Sequence, residues 1–198
     1  YLYLYLKKFA KKNDFVILPE IFAHFAEDFL IKEKIKEISG AHIFTQYVNK
    51  PSEFGVCQYD KNDKIISITE KPKNFMGNEA ITGLYLYDNS VVDVAKSIVP
   101  SSRGELEITD VNKVYLNKNA LSGTKLGRGF AWLDTGTQES LMQASEFIYA
   151  IEKRQGLAVG CLEEIAYNNK WIDRKKIISQ QKKFKNSLYG EYLQKIIA

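Results

Sequence analysis

Asp134 ends the apolar run Phe130-Ala131-Trp132-Leu133 and is followed by Thr135-Gly136-Thr137. The run reads as a short strand, and a helix is expected to open at Thr137. A carboxylate at the carboxyl end of a strand, beside a helix N-terminus, is placed for metal and phosphate chemistry. Ligands of open α/β sheets sit outside the carboxyl ends of the strands. The helix start offers free N–H groups and the positive end of its dipole to an anion. The same residues also fit a plain helix start, with Asp134 as a capping residue and Thr137 as N-cap.

The elements that would position such a residue can be read along the chain. Phe15-Val16-Ile17-Leu18 is a continuous apolar run, as for a strand buried on both faces, and Pro19 stops it. A helix is expected from about Glu27 to Ile38, ended by Ser39-Gly40. Residues 41–48 are aromatic and β-branched and read as a strand. Residues 54–59 and 64–69 flank Asp60-Lys61-Asn62-Asp63 and predict a hairpin. Residues 80–87 predict another strand, and Asp88-Asn89-Ser90 a capped start to a helix over 91–98. Glu105-Leu106-Glu107-Ile108-Thr109-Asp110 predicts a helix to about Asn117, with acids in its first turn as the dipole prefers. Residues 121–133 read as two strands around Gly127-Arg128-Gly129. Over 137–154, Leu141, Ala144, Phe147, Ile148 and Ile151 recur at helical spacing. Beyond Gln155 come short helices over 162–166, 171–179 and 188–197. Residues 1–14 fit no clear element. Mixed strands and helices predict an α/β domain over 1–154, followed by a helical region over 155–198.

Composition sets limits on function. The 198 residues carry a net charge of +4, with a pI near 8.8, too mild to argue for nucleic acid. The basic runs Arg174-Lys175-Lys176 and Lys182-Lys183-Phe184-Lys185 fit a solvated helix face, with a polyanion site over 170–185 as the alternative. No apolar run approaches the roughly 20 residues that span a membrane, and the opening Tyr-Leu alternation is too short for a signal peptide. No membrane partner is expected, and the cytoplasm is the default location. Cys57 and Cys161 are far apart without a CxxC, which excludes a cysteine metal cluster and argues against a disulfide framework. Cys57 reads as a small buried apolar group. His24 and His42 are isolated, and no side chain reads as a nucleophile.

Several stretches match one family in order and spacing: Phe54-Gly55-Val56, Glu70-Lys71-Pro72, Ile81 to Asp88, Arg103-Gly104-Glu105-Leu106-Glu107-Ile108-Thr109-Asp110, Arg128 to Thr137, Ile151 to Leu157, and Tyr189 to Leu193. Together they resemble the bacterial glucose-1-phosphate thymidylyltransferases, sugar nucleotidyltransferases that make dTDP-glucose. The resemblance implies a Rossmann-like nucleotidyltransferase mixed sheet flanked by helices, incomplete here, with a C-terminal helical lobe. It implies that Gly55, Glu70, Lys71, Ile81, Tyr85 and Arg103 line the sugar-phosphate half of the pocket, with Lys71 and Arg103 as the catalytic cations. Glu can accept bonds from sugar hydroxyls, Lys and Arg hold a phosphate, and Gly55 lets backbone approach the ligand. Arg128 is a further anion-binding candidate. Asp134 corresponds to one of two aspartates that hold Mg²⁺, a hard cation completed by phosphate and water. Read without the family, Glu70 and Lys71 are an exposed pair at a strand end, Tyr85 is core, and Arg103 and Arg128 pair with surface carboxylates.

Two departures accompany the match. The family's Gly-rich triphosphate loop, GGxGTRL, has no counterpart here: Gly123-Thr124-Lys125-Leu126-Gly127-Arg128-Gly129 leads towards a strand instead of a helix. The family's second metal aspartate falls on Pro19, with Glu20 beside it as a misdirected substitute. The chain alone is therefore expected to be inactive: the sugar-phosphate half of the enzyme, binding a sugar phosphate or deoxythymidine sugar nucleotide. The alternative is a non-catalytic binding or assembly module. Family resemblance implies a homo-oligomer, dimer or tetramer.

Overall fold

The computed structural model describes residues 38–198, Lys34, and the backbone of Phe15–Leu18. The helix expected from Glu27 lies almost wholly outside the described residues, as do Pro19, Glu20 and residues 1–14. Six strands form one mixed sheet: β1 (Phe15–Leu18), β2 (Ala41–Tyr47), β3 (Gly55–Tyr59), β4 (Ile65–Glu70), β5 (Glu79–Asp88) and β6 (Leu121–Leu126). The order is β4-β3-β5-β2-β6, with β1 also on β5.

β5 is the organising strand. Its residues from Ala80 to Tyr87 are buried except at Gly83, so both of its faces need cover and both of its edges need partners. β2 runs antiparallel along one edge, from Ala41↔Tyr87 to Tyr47↔Glu79. On the other edge β1 takes the C-terminal half, from Phe15↔Asp88 to Leu18↔Tyr85, and β3 meets the start at Val56↔Ala80. β6 lies parallel to β2, which makes the sheet mixed. Gly40, at φ +91°, turns the chain into β2 where a Cβ would stand 2.3 Å from the Ala120 carbonyl oxygen; only glycine meets both demands.

The hairpin forms where expected. Asp60 Oδ1 accepts from the N–H groups of Asn62 and Lys64 at 2.8 and 2.9 Å, which closes the turn. Strand alternation splits the core. On one face Ala41, Ile43, Tyr85 and Tyr87 pack with helices α1 (Val91–Ser97) and α2 (Ile108–Asn117), through Val91, Val94, Val111 and Tyr115. On the other face lie Phe44, Leu84, Leu86 and Leu126, with Ile38 and Phe130 beside them. Cys57 is 1% exposed, and burial pushes its thiol up to about 12, as for a group that packs and does not react.

Two expectations are corrected. Phe130–Leu133 is not a strand: β6 ends at Leu126, and the chain turns through Gly127–Gly129, with the Phe130 N–H donating to the Gly127 carbonyl at 3.4 Å. Trp132 alone makes an isolated β-bridge, and its ring packs edge-on against Phe54, ring centroids 4.9 Å apart. Apolar character there reflects packing of an irregular segment. Second, Glu105–Glu107 precede α2 instead of forming its first turn, because the Glu107 backbone is extended, with φ −87° and ψ 130°, and the helix opens only at Ile108.

The described residues up to Trp132 form one compact unit and Leu133–Ala198 a second, so by compactness residues 133–154 group with the C-terminal helices. The second unit holds α3 (Gln138–Gln155), α4 (Leu162–Asn168), α5 (Arg174–Lys183) and α6 (Leu188–Ile197). Thr137 caps α3 as expected, accepting from the Ser140 N–H at 3.1 Å in a capping box. Asp173 and Ser187 cap α5 and α6. Cys161, Ile177, Leu193 and Ile197 make this unit's core, to which α3 contributes no residue. The periodic stripe on α3 exists, yet only Ala144 is buried, while Leu141 is 51% exposed. Among the described residues no helix is long and apolar enough to cross a membrane.

Candidate functional site

The hairpin register sets Gly55 directly opposite Glu70. A methyl group on Gly55 would stand 3.1 Å from Glu70 Oε2, 3.1 Å from Thr109 Oγ1 and 3.6 Å from Ile81 Cδ1. Four residues from four elements thus converge where one strand carries no side chain. Thr109, on the first turn of α2 and 1% exposed, donates its hydroxyl hydrogen to Glu70 Oε2. Glu70 Oε1 accepts no hydrogen bond from any described residue; the Arg103 Nη2 lies 3.9 Å away. That oxygen is an open acceptor for a ligand hydroxyl.

Lys71 follows β4 with φ +40°, a left-handed conformation that lysine rarely adopts. Its N–H donates to the Phe54 carbonyl at 2.9 Å, which ties the turn to the residue before Gly55. Held strain of this kind clusters at ligand sites. The side chain is exposed, and its charge helps to hold the Glu107 carboxyl ionised. Phe54 and Trp132 form an aromatic pair beside this turn, and Trp132 Nε1 is a buried donor without a partner among the described residues.

Arg103 lies in the loop before α2. Glu107 Oε1 accepts from its Nε and Nη2 at 3.1 and 2.8 Å, and Glu107 Oε2 accepts from Nη2 at 2.9 Å. Glu105 Oε2 lies 3.1 Å from Nη2. The hydrogen bonds from Arg103, joined by one from Ser101, lower the pKa of the Glu107 carboxyl, and the same pair raises the Arg103 pKa. An acid depressed in this way stabilises the fold fully above its ordinary value of 4.5. That contribution is lost as pH falls through the lower folded value. Thermal melts from about pH 7 to about pH 3 should therefore show a decline below about 4.5 that Glu107→Gln makes shallower. An equally steep decline in the variant would contradict this assignment.

Two of the family-implied residues lie in the core beside this group. Ile81 and Tyr85 are each 7% exposed, and Tyr85 stacks on Tyr87 with centroids 5.8 Å apart. Ile81 reaches the Gly55 position, whereas Tyr85 lies farther along β5. Arg128 is exposed on the turn after β6, and no hydrogen bond or ion pair ties it to the group among the described residues. Asp134 belongs to the second unit. It is exposed, and its Oδ1 accepts from the Gly136 N–H at 3.3 Å. Among the described residues no three His, Cys, Asp or Glu could hold a metal together. One open carboxylate fits a hard cation that draws most of its shell from phosphates and water, and does not fit an all-protein cage.

Sequence reasoning missed Glu107 and Thr109 as site residues, although both stand in the Arg103–Asp110 motif. The signal was there: Glu107 lies at i+4 from Arg103, and Thr109 falls on the same helix start. Both had an ordinary explanation as first-turn polar residues.

The chain is similar to known proteins. Residues 2–150 match the family model described as nucleotidyl transferase. A Neisseria gonorrhoeae glucose-1-phosphate thymidylyltransferase is 45% identical over 84% of this chain and 58% of its own length. The Xanthomonas campestris protein of the same name is 44% identical over 93% of this chain and 62% of its own. A crystal structure of a Bacillus anthracis protein assigned to glucose-1-phosphate thymidylyltransferase, in complex with sucrose, superposes with a TM-score of 0.62. It shares 36% identity and covers 74% of this chain and 58% of its own. The chain thus spans about three fifths of the length of these relatives. With its mixed sheet built on β5 and a family match that runs over residues 2–150, the chain belongs to the nucleotidyl transferase family.

Proposed function

We propose that this chain carries the sugar-phosphate half of a glucose-1-phosphate thymidylyltransferase. The observation that supports this most is the convergence of Glu70, Thr109 and Ile81 on bare Gly55, with Arg103 at 3.9 Å from Glu70. In this reading Glu70 Oε1 accepts from a sugar hydroxyl, Gly55 leaves room for the ring, and Lys71 and Arg103 hold the phosphate. The phosphate oxygen of glucose 1-phosphate attacks the α-phosphorus of dTTP in line, forming one P–O bond as the bond to pyrophosphate breaks. These residues bind and orient the attacking phosphate, and alignment is where such catalysis gains most. Asp134 would hold Mg²⁺, which supplies charge neutralisation to the phosphates when bound. The chain's 198 residues contain no GGxGTRL loop, so turnover would draw on residues beyond them.

The test is the affinity of variants for dTDP-glucose. Glu70→Ala and Arg103→Ala should each weaken binding by about tenfold or more, as expected for lost hydrogen bonds to charged groups. Unchanged affinity in both would dismiss the assignment.

The surface of α3 favours a second, compatible reading. Leu141, Met142 and Tyr149 are 51%, 65% and 62% exposed, an apolar display that fits contact between copies of the chain. We place the assembled dimer or tetramer in the cytoplasm. Sedimentation as a monomer at all accessible concentrations would count against assembly.

A further inference from the structure

Glu107 stands at the N-cap of α2 and caps nothing: its side chain makes no hydrogen bond to the free N–H groups of the helix. Glutamate is not among the favoured N-caps, so local helix chemistry does not explain its presence. Its carboxylate is spent on Arg103. Oε1 takes Nε and Nη2, Oε2 takes Nη2, and Ser101 Oγ donates to Oε1 at 2.8 Å. The loop that carries the arginine is closed on itself, with the Ser101 N–H on the Glu105 carbonyl and the Gly104 N–H on the Ser101 carbonyl, both at 2.8 Å. The Glu107 side chain is 11% exposed and that of Arg103 39%, so the acid is the fixed member of the pair.

A guanidinium is a planar fork of five N–H groups. Here the Nε–Nη2 edge is committed, to Glu107 and at 3.1 Å to Glu105. Nη1 donates no hydrogen bond to any described residue. An arginine with one edge clamped loses less entropy on meeting a ligand, and its free edge has a defined direction.

We infer that Glu107 is a positioning residue: it clamps one edge of Arg103 so that the Nη1 edge is presented to the phosphate of a bound sugar phosphate. This rests on the reading of Arg103 as a phosphate ligand in the preceding section. The competing account is an ordinary i, i+4 ion pair that only closes the loop.

A double-mutant cycle separates the two. Dissociation constants for glucose 1-phosphate are measured by calorimetry on the full chain, on Glu107→Gln, on Arg103→Ala, and on the double variant, each checked for folding by circular dichroism. Positioning predicts that Glu107→Gln weakens binding about tenfold when Arg103 is present and by less than about twofold when it is absent. Ser101→Ala, a milder change that frees Glu107 Oε1, should show a smaller loss with the same dependence on Arg103. It decides the matter if Glu107→Gln does not fold. Equal losses with and without Arg103, or no loss while Arg103→Ala weakens binding, would overturn the inference and leave the site assignment standing. If the folded chain does not bind glucose 1-phosphate, or Arg103→Ala binds as well as the unaltered chain, the site assignment fails and the inference with it.

Discussion

Gly55→Val should cost glucose 1-phosphate affinity on the order of a hundredfold while leaving the sheet folded. The reasons for the two halves of that expectation differ. Gly55 is not among the residues with positive φ, and valine suits a strand, so the backbone accepts the change. The space does not. The first carbon of the new side chain meets Glu70 Oε2 and Thr109 Oγ1, each at 3.1 Å, and the two methyl groups beyond it add further bulk there. The bond from Thr109 to Glu70 must shift, and an apolar wedge then lies against the carboxylate that should receive a hydroxyl. Overpacking of this kind costs about 1–3 kcal/mol. Calorimetric titration checks the affinity and circular dichroism checks the fold. Affinity within about twofold of the unaltered chain would mean that the ligand does not enter beside Gly55.

The second large effect is on stability. Tyr87 is fully buried, lies between Tyr85 and Tyr115 with ring centroids 5.8 and 5.6 Å away, and donates its hydroxyl hydrogen to Asn112 Oδ1 at 2.5 Å. Burial drives its pKa well above the ordinary tyrosine value, so it stays a neutral donor throughout the stable range. Tyr87→Ala removes a ring from the core between β5 and α2 and strands Asn112, whose Nδ2 already lacks a partner among the described residues. Truncating a buried aromatic costs about 3–5 kcal/mol. Tyr87→Phe keeps the ring and should cost about 1 kcal/mol, the net worth of the lost hydrogen bond with its stranded acceptor. Urea unfolding of the two variants, followed by circular dichroism, measures the contrast. A loss below about 1 kcal/mol for Tyr87→Ala would show that the aromatic ladder is not what joins helix to sheet.

What could be read from the sequence follows the range of the interactions involved. Residues 80–87 read as a strand because a continuous apolar run bounded by turn residues has few other uses, and they form the strand with the most partners. Thr137 and Ser90 lie at helix starts as expected, because helix boundaries are set by residues a turn apart. Phe130–Leu133 misled because an apolar run does not say how far its backbone pairs with a strand; only Trp132 bridges, and its ring packs on Phe54, distant in sequence. The apolar stripe on α3 was legible as a period, while what it packs against was not.

The site divides in the same way. Gly55 and Glu70 were identified separately by family resemblance, but their meeting depends on hairpin register, which the Asp60 turn sets. Glu107 was hidden by a plausible local role. It reads as a helix-start acid, whereas its carboxylate is needed by an arginine one loop away. Of the alternatives that the residues left open, the pairing of Arg103 with carboxylates and the core position of Tyr85 are both present in the fold. Neither excludes a ligand, because Arg103 retains a free edge and Tyr85 lies on the same strand as Ile81.

The central claim is that these residues hold the sugar-phosphate half of a nucleotidyltransferase site. Calorimetric titration of the folded chain with dTDP-glucose, with and without Mg²⁺, tests it most directly. The account predicts saturable binding at one site per chain, weakened in Glu70→Ala. A folded chain that releases no heat with dTDP-glucose under either condition, and gains no thermal stability from it, would contradict the claim.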